Sequence, residues 1–452
     1  MIDARIPWWR EPAAVGPEPA TGDRGGPSVE PHQRVGFAFW ALMGFTFVLL
    51  LAPQERFPVL APLRIAMLTA LLAMAAHVFS RLSRGLSMMA FTAPTKILLC
   101  LVGWALITAP FSYWPGGSVT FLLENFSKTV IVFILLANVV DSRGKLQRIS
   151  WGLVLMSVPL AATTIQNFMS GISLQTGDRV VGYSSGLTAN PNDMALMLNL
   201  ILPLCVALLL ASSRAGTRIL LASIACLLTV AIVATFSRAG FLTLMVTGLT
   251  YFWLYRNRAE RVWIPVIVAL ALLALPIMPS GYVERISTIV NIEDDSTHSA
   301  ETRLSDMKAA ARLTVANPLV GAGIGMNVLA LNEVRGETWT AVHNVYLQYL
   351  VELGLPGLGL FLLLYVSCLR ATGTVLRALQ ANRSDGLFHI AEGLRVSLIA
   401  FAVAALFHPI AYHFYFYSIA GLAIAAAAVC AAEQPVQALQ RAGLARHETV
   451  LS

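Results

Sequence analysis

Read as apolar and polar positions, the chain is a series of apolar runs near residues 35–53, 58–78, 97–112, 120–140, 149–167, 194–211, 219–236, 239–255, 262–278, 343–369, 395–411 and 414–432, separated by polar joints. The runs are continuous rather than striped, which is the pattern of helices surrounded by lipid or by other helices. Crossing the hydrocarbon core takes about 20 apolar residues, so the shorter runs must borrow from their flanks. The expected fold is an all-α integral membrane protein with about twelve transmembrane helices. Two joints are long, 167–193 and 279–342, and long loops on a many-helix protein are where a substrate site can be built. The chain then divides into a tail at 1–34, helices one to nine at 35–278, a large loop with short helices at 279–342, helices ten to twelve at 343–432, and a second tail at 433–452.

Composition agrees with a membrane protein. Of 452 residues 57% are hydrophobic and only 12% charged. The five cysteines all fall inside apolar runs without paired spacing, which argues against a disulfide framework or a zinc site. A formal charge of +7 raises the possibility of a nucleic-acid partner, but most of the 31 Lys and Arg residues sit at alternate joints such as "RLSRG", "DSRGKLQR" and "YRNRAERVW" and in the two tails. That distribution is topogenic: it puts both termini in the cytoplasm and leaves no role for nucleic acid. The first tail is rich in Pro and Gly and lacks the apolar core of a secretory signal, so a disordered segment is expected.

The long loop at 279–342 faces outward under this topology, yet it carries Arg285, Arg303, Lys308, Arg312 and Arg335 among eight acids. Cations there are not placed for topology and need another reason. Within it, "SAETRLSDMKAAARLTVANP" reads as a helix with Ser299 as N-cap, an apolar stripe of Leu304, Met307, Ala311 and Val315, and Asn317-Pro318 as its end. "GAGIGMN" follows as a turn; it lacks the spacing and the preceding strand of a dinucleotide site. Arg238 in "FSRAGFLTL" lies between two apolar runs joined by almost nothing, where an arginine either anchors a tight turn at the interface or faces a partner. Arg179 is freely exposable, and Arg303 can equally pair with Glu301 or Asp306.

Outward guanidiniums at a membrane surface suit phosphate oxygens, which their planar fork binds in pairs. His343 in "AVHNVYLQYLVELGLPGLGLF" stands at the border between loop and helix, and a neutral imidazole there can take a proton from an attacking hydroxyl near working pH. Asn344 orients sugar hydroxyls or caps the helix that begins at it; the two residues also read simply as a polar helix start. His298, His408 and His413 compete for the base role. Glu352 is nine residues beyond His343, too far along a helix to orient the ring directly, and reads as a packing residue or one supporting the site from behind. Gly354, Pro356, Gly357 and Gly359 predict a break, making 343–353 a short piece leading into the true span.

In order, "SGLTANPNDMALMLNLILPL", "FSRAGFLTL", "ETRLSDMKAAARLTVANPLVGAGIGMN" and "HNVYLQYLVELGLPGLGLF" resemble the O-antigen ligase and Wzy-type polymerase superfamily over roughly residues 175–370. The resemblance implies a bacterial inner-membrane glycosyltransferase acting at the periplasmic face. A glycan would pass, with inversion and without metal or other cofactor, from undecaprenyl diphosphate to an acceptor glycan or lipid A core, with membrane lipids as the surroundings. Carried over by motif, Arg238 and Arg303 hold the diphosphate, Arg179 is a further diphosphate candidate, and His343 activates the acceptor. Asn344, Asn192 and Glu352 are supporting or substrate-binding candidates. "SRAG" departs from the commoner Ser-Arg-Gly-Gly form. Glu124 and Lys128 are expected to neutralise each other inside the bundle, and Trp114, Trp339 and Tyr412 are candidates for sugar stacking or an interfacial belt. A polymerase that lengthens a lipid-linked repeat is the alternative within the superfamily. A secondary transporter or flippase is the alternative of another class.

Overall fold

The structure, a computed structural model, describes residues 36–172, 180, 182, 190–258, 299–336 and 338–451. The first tail, the ninth predicted span at 262–278, His298 and Arg179 lie outside the described residues. All regular structure among the described residues is helical. The chain order is α1 (Phe37–Leu51), α2 (Pro53–Arg56), α3 (Ile65–Leu82), α4 (Ala93–Thr108), α5 (Pro115–Phe121), α6 (Ser127–Val139), α7 (Arg143–Met169), α8 (Pro191–Ala211), α9 (Ala215–Ala234) and α10 (Arg238–Tyr255). After the long loop begins come α11 (Ser299–Ala316), α12 (Asn327–Arg335), α13 (Val345–Ala378), α14 (Gly386–Ala404) and α15 (Phe414–Leu451).

Nine of the described helices are long and apolar enough to cross a membrane. α1 is a shorter apolar helix of 15 residues, and α10 is not among the nine, its hydropathy lowered by Arg238, three threonines and two tyrosines. The expected count of twelve is therefore not reached among the described residues. The centre of the bundle is α8 and α14, which lie against each other and are the most fully covered spans together with the first half of α15. Gly393 presses onto the Pro203 carbonyl there, 2.6 Å from where a Cβ would sit. α15 runs on as helix well past its apolar portion.

Two local expectations need correcting. The stripe on α11 does not face inward: Leu304, Met307 and Val315 are exposed, and the buried face is Asp306, Ala309, Ala310 and Leu313, packed against Ala330 and Leu331 of α12. Small alanines allow close approach of the two helices, and a charge partner for Asp306 on α12 decides which face turns in. Glu124 and Lys128 are both exposed and form no ion pair with each other among the described residues. A π-helical stretch at Leu122–Phe126 contains Glu124 and spoils the one-turn register with Lys128 that an i,i+4 pair requires.

Candidate functional site

The predicted break in the tenth span is present and organises the site. Gly354 sits at φ 67°, ψ −169° inside α13, a conformation open to glycine and strained for other residues. The break strips the carbonyls of Val351, Glu352 and Leu353 of their helical partners. Ala322 N–H donates to Val351 O at 2.7 Å, Gly323 N–H to Glu352 O at 2.8 Å, and the Trp104 indole to Leu353 O at 2.8 Å. Pro318 O in turn accepts from Leu355 N–H at 2.8 Å. The "GAGIGMN" turn thus docks on the broken helix end. Its Gly321, Gly323 and Gly325 all have positive φ, which aims successive backbone N–H groups inward.

Those N–H groups receive an internal carboxyl group. Glu352, fully buried, accepts from Gly325 N–H at 2.9 Å, from Asn327 N–H at 3.2 Å and from the Asn327 side-chain amide. Burial, then the charge of Glu352, pushes the neighbouring Tyr412 phenol well above its ordinary range. Asn327 extends the contact, because its Oδ1 accepts from Val342 N–H at 3.1 Å. Glu352 therefore does reach the neighbourhood of His343, not along its own helix but across the loop and through Asn327. Tyr412 is buried on this network and leaves the set of stacking candidates, whereas Trp114 and Trp339 stay exposed.

His343 itself is held by residues that the sequence reading left out. Its side chain is 35% exposed, and its Nδ1 is buried 4.0 Å from Asp306 Oδ2, whose side chain is 2% exposed. The other Asp306 oxygen pairs with Arg335, whose guanidinium also donates to the Thr340 carbonyl. An ion pair this deeply buried is costly to desolvate. Here it clamps α11 to α12 and to the strap 338–343. Arg335 was one of the cations with no topogenic reason in the outward loop. That signal, followed through, would have found it.

Asn344 caps α13, its Oδ1 accepting from Leu347 N–H at 3.1 Å. Next to it, Val345 N–H donates to Ala405 O at 2.7 Å, tying this border to the end of α14. Three residues on, the His408 ring nitrogens face Ala404 O at 2.7 Å and Asn192 O at 3.2 Å. His408 is 1% exposed and committed to these carbonyls, which removes it as a competing base.

Asn192 opens the second half of the site. Its Oδ1 accepts from Ser237 Oγ at 2.6 Å, and Ser237 is the N-cap of α10, accepting from Gly240 N–H at 3.1 Å. Arg238, half-buried, is the first residue of that helix. A cation at the positive end of a helix is unfavourable unless an anion shares the place. Ala239 is helical and buried, so the missing glycine of "SRAG" is not required there. The close approach falls on Gly240, where a Cβ would lie 2.5 Å from the Ala195 methyl. Val180, next in sequence to Arg179, packs with Phe236. Of Arg303 the structure describes the backbone only, three residues before Asp306 in α11.

Two clusters are therefore present, His343–Asp306–Arg335 with Asn344 and Glu352, and Arg238–Ser237–Asn192. They are joined through the turn at Ala405–His408. Residues 222–362 match the family described as O-antigen ligase. Over that stretch, about a third of its length, the chain is similar to the O-antigen ligase family. Nothing among the curated proteins matches it. Members of this family are ligases and polymerases acting on glycans. The O-antigen ligase match covers Arg238, Arg303, Asp306, Asn327, Arg335, His343, Asn344 and Glu352, while Asn192 and His408 lie outside it and buttress it from α8 and the α14–α15 turn.

Proposed function

We propose that this protein is a membrane glycosyltransferase of the O-antigen ligase kind, transferring a glycan from undecaprenyl diphosphate to an acceptor hydroxyl at the periplasmic face of the inner membrane. The observation that carries the reading is His343, half-open at a loop-to-helix border and backed by the buried Asp306–Arg335 pair. In the reaction the acceptor oxygen attacks the anomeric carbon opposite the bond to diphosphate. The new carbon–oxygen bond forms as the old one breaks, which inverts the centre. His343 Nε2 takes the hydroxyl proton, and Asp306 beyond Nδ1 steadies the imidazolium that results. Undecaprenyl diphosphate leaves with the electron pair, its charge held by Arg238 and Arg303, with Arg179 as a third candidate.

The test is reconstitution of the full chain in liposomes with a lipid-linked oligosaccharide and candidate acceptors, including lipid A core. Transfer to the acceptor is the expected result. Lengthened lipid-linked glycan instead would move the assignment to a polymerase. Absence of either product together with gradient-driven uptake would overturn the enzyme reading in favour of a transporter.

A further inference from the structure

At the end of the bundle opposite His343 lies a cavity of about 420 Å³ between α10, α13 and α14. Arg370 is 15 residues beyond Leu355, the start of the second half of α13, roughly 22 Å along that axis at 1.5 Å per residue, so this cavity is separate from the site above. Its size falls within the range of about 300–1,000 Å³ usual for small-molecule sites. Five arginines line it, Arg258, Arg370, Arg377, Arg383 and Arg395, against one acid, Glu392.

The carboxylates nearby are already committed. Glu392 accepts from Arg258 at 2.7 and 3.2 Å and from Tyr255 at 2.5 Å. Asp385 and Glu433 are both taken by Arg143, at 2.6 Å each. Among the described residues, no carboxylate lies within ion-pair distance of Arg370, Arg377, Arg383 or Arg395. Four like charges around one cavity repel each other, and an anion within it relieves all four at once.

The chemistry of the walls says what kind of anion. Along α13 the lining passes from Val366 and Leu369 to Arg370, Arg377 and Gln380, and Leu254 of α10 adds to the apolar side. An apolar wall rising from a basic floor at a helix-bundle end fits acyl chain above and phosphate below; a free anion has no use for the wall. Topogenesis alone asks only that arginines be at this end, not that they surround a cavity from which the local carboxylates have been withdrawn. We propose that this cavity is a binding site for the phosphate headgroup of an anionic phospholipid. The inference is independent of the glycosyl-transfer reading.

Gly373 supplies a test that leaves every charge in place. It lines the cavity within helix α13, and a Cβ there would meet only Arg395 Nη1, at 4.0 Å. Gly373→Leu therefore projects a side chain into the cavity and narrows it, and leucine is the better helix former. The full-length protein, purified in mild detergent, is mixed with phosphatidylglycerol, phosphatidylcholine or inorganic phosphate, and bound lipid is counted by native mass spectrometry. Wild type is expected to retain phosphatidylglycerol over phosphatidylcholine, and both Gly373→Leu and Arg370→Gln/Arg377→Gln to retain it less by about fivefold or more, a modest loss for two charge-assisted contacts. A monodisperse size-exclusion profile establishes that each variant is folded. Equal retention in wild type and either variant overturns the proposal. So does loss in the arginine variant alone, which means surface attraction without a cavity, and so does displacement of the lipid by equimolar inorganic phosphate.

Discussion

The two ends of the helix bundle use charge differently. At the His343 end, charged side chains are drawn inside: Asp306 and Arg335 are 2% and 5% exposed, and Glu352 is fully buried. At the other end most stay near water, with Arg143 37%, Glu433 31% and Asp141 57% exposed, and the buried carboxylates there, Glu392 at 3% and Asp385 at 8%, each lie under a partly exposed arginine. Cations placed for topology need only be on the correct side, and solvent makes that cheap. Burying an ion pair or a lone carboxylate carries a desolvation penalty of several kcal/mol per ion, which good partners only just offset. Where both partners of a pair are buried, as at Asp306–Arg335, the fold has committed its geometry, and that is the end where an imidazole is held half-open.

The contrast can be broken by substitution, and the expected effects fall in a definite order. His343→Ala should reduce transfer by about 10²–10⁴-fold, the usual contribution of a general base, without changing the amount of protein in the membrane. An in vitro transfer assay beside quantitative blotting decides it, and retention of most activity would remove His343 from the mechanism. Asp306→Ala leaves Arg335 buried without its carboxylate, a loss of about 3–5 kcal/mol read as a lower unfolding midpoint in detergent. Asp306→Asn, which keeps the shape, should fold better while still lowering kcat more than it raises KM. Arg238→Lys keeps the charge and loses the fork; a drop of about tenfold in kcat/KM, corresponding to the lower end of a charged hydrogen bond, is expected, and no change would mean the residue is only an anchor. At the far end Arg143→Gln should cost less, about 1 kcal/mol, because solvent reaches Arg143 and Glu433, although Asp385 beneath them is buried. A larger loss would erase the distinction between the ends.

Much of this was legible from residue order alone. Runs of apolar residues marked the spans, the glycines and proline after Leu353 marked the break, and the border position of His343 followed from both. What local pattern could not carry is contact between distant segments. The apolar stripe on α11 pointed the wrong way because periodicity sees only the helix itself, whereas Arg335, 29 residues on, determines that Asp306 turns inward. Glu352 looked remote for a similar reason: its route to His343 runs through Asn327 and Val342, and a helix-distance argument follows only the chain. "GAGIGMN" read as a plain turn, and spacing could not show that its N–H groups receive a side chain of the same protein, Glu352.

The Glu352 clasp also bears on the order in which the molecule is assembled. Its partners Gly325 and Asn327 are 27 and 25 residues away, so all of them have left the ribosome before α14 and α15 are made. The His408–Asn192 junction spans 216 residues and must wait for α14 to be complete. Short loops close before long ones. The half around His343 and Glu352 is accordingly expected to fold as a nascent unit first, with the half around Asn192 and Arg238 locked against it only when synthesis is nearly finished, so an unfinished chain would hold one cluster but not yet the junction between the two.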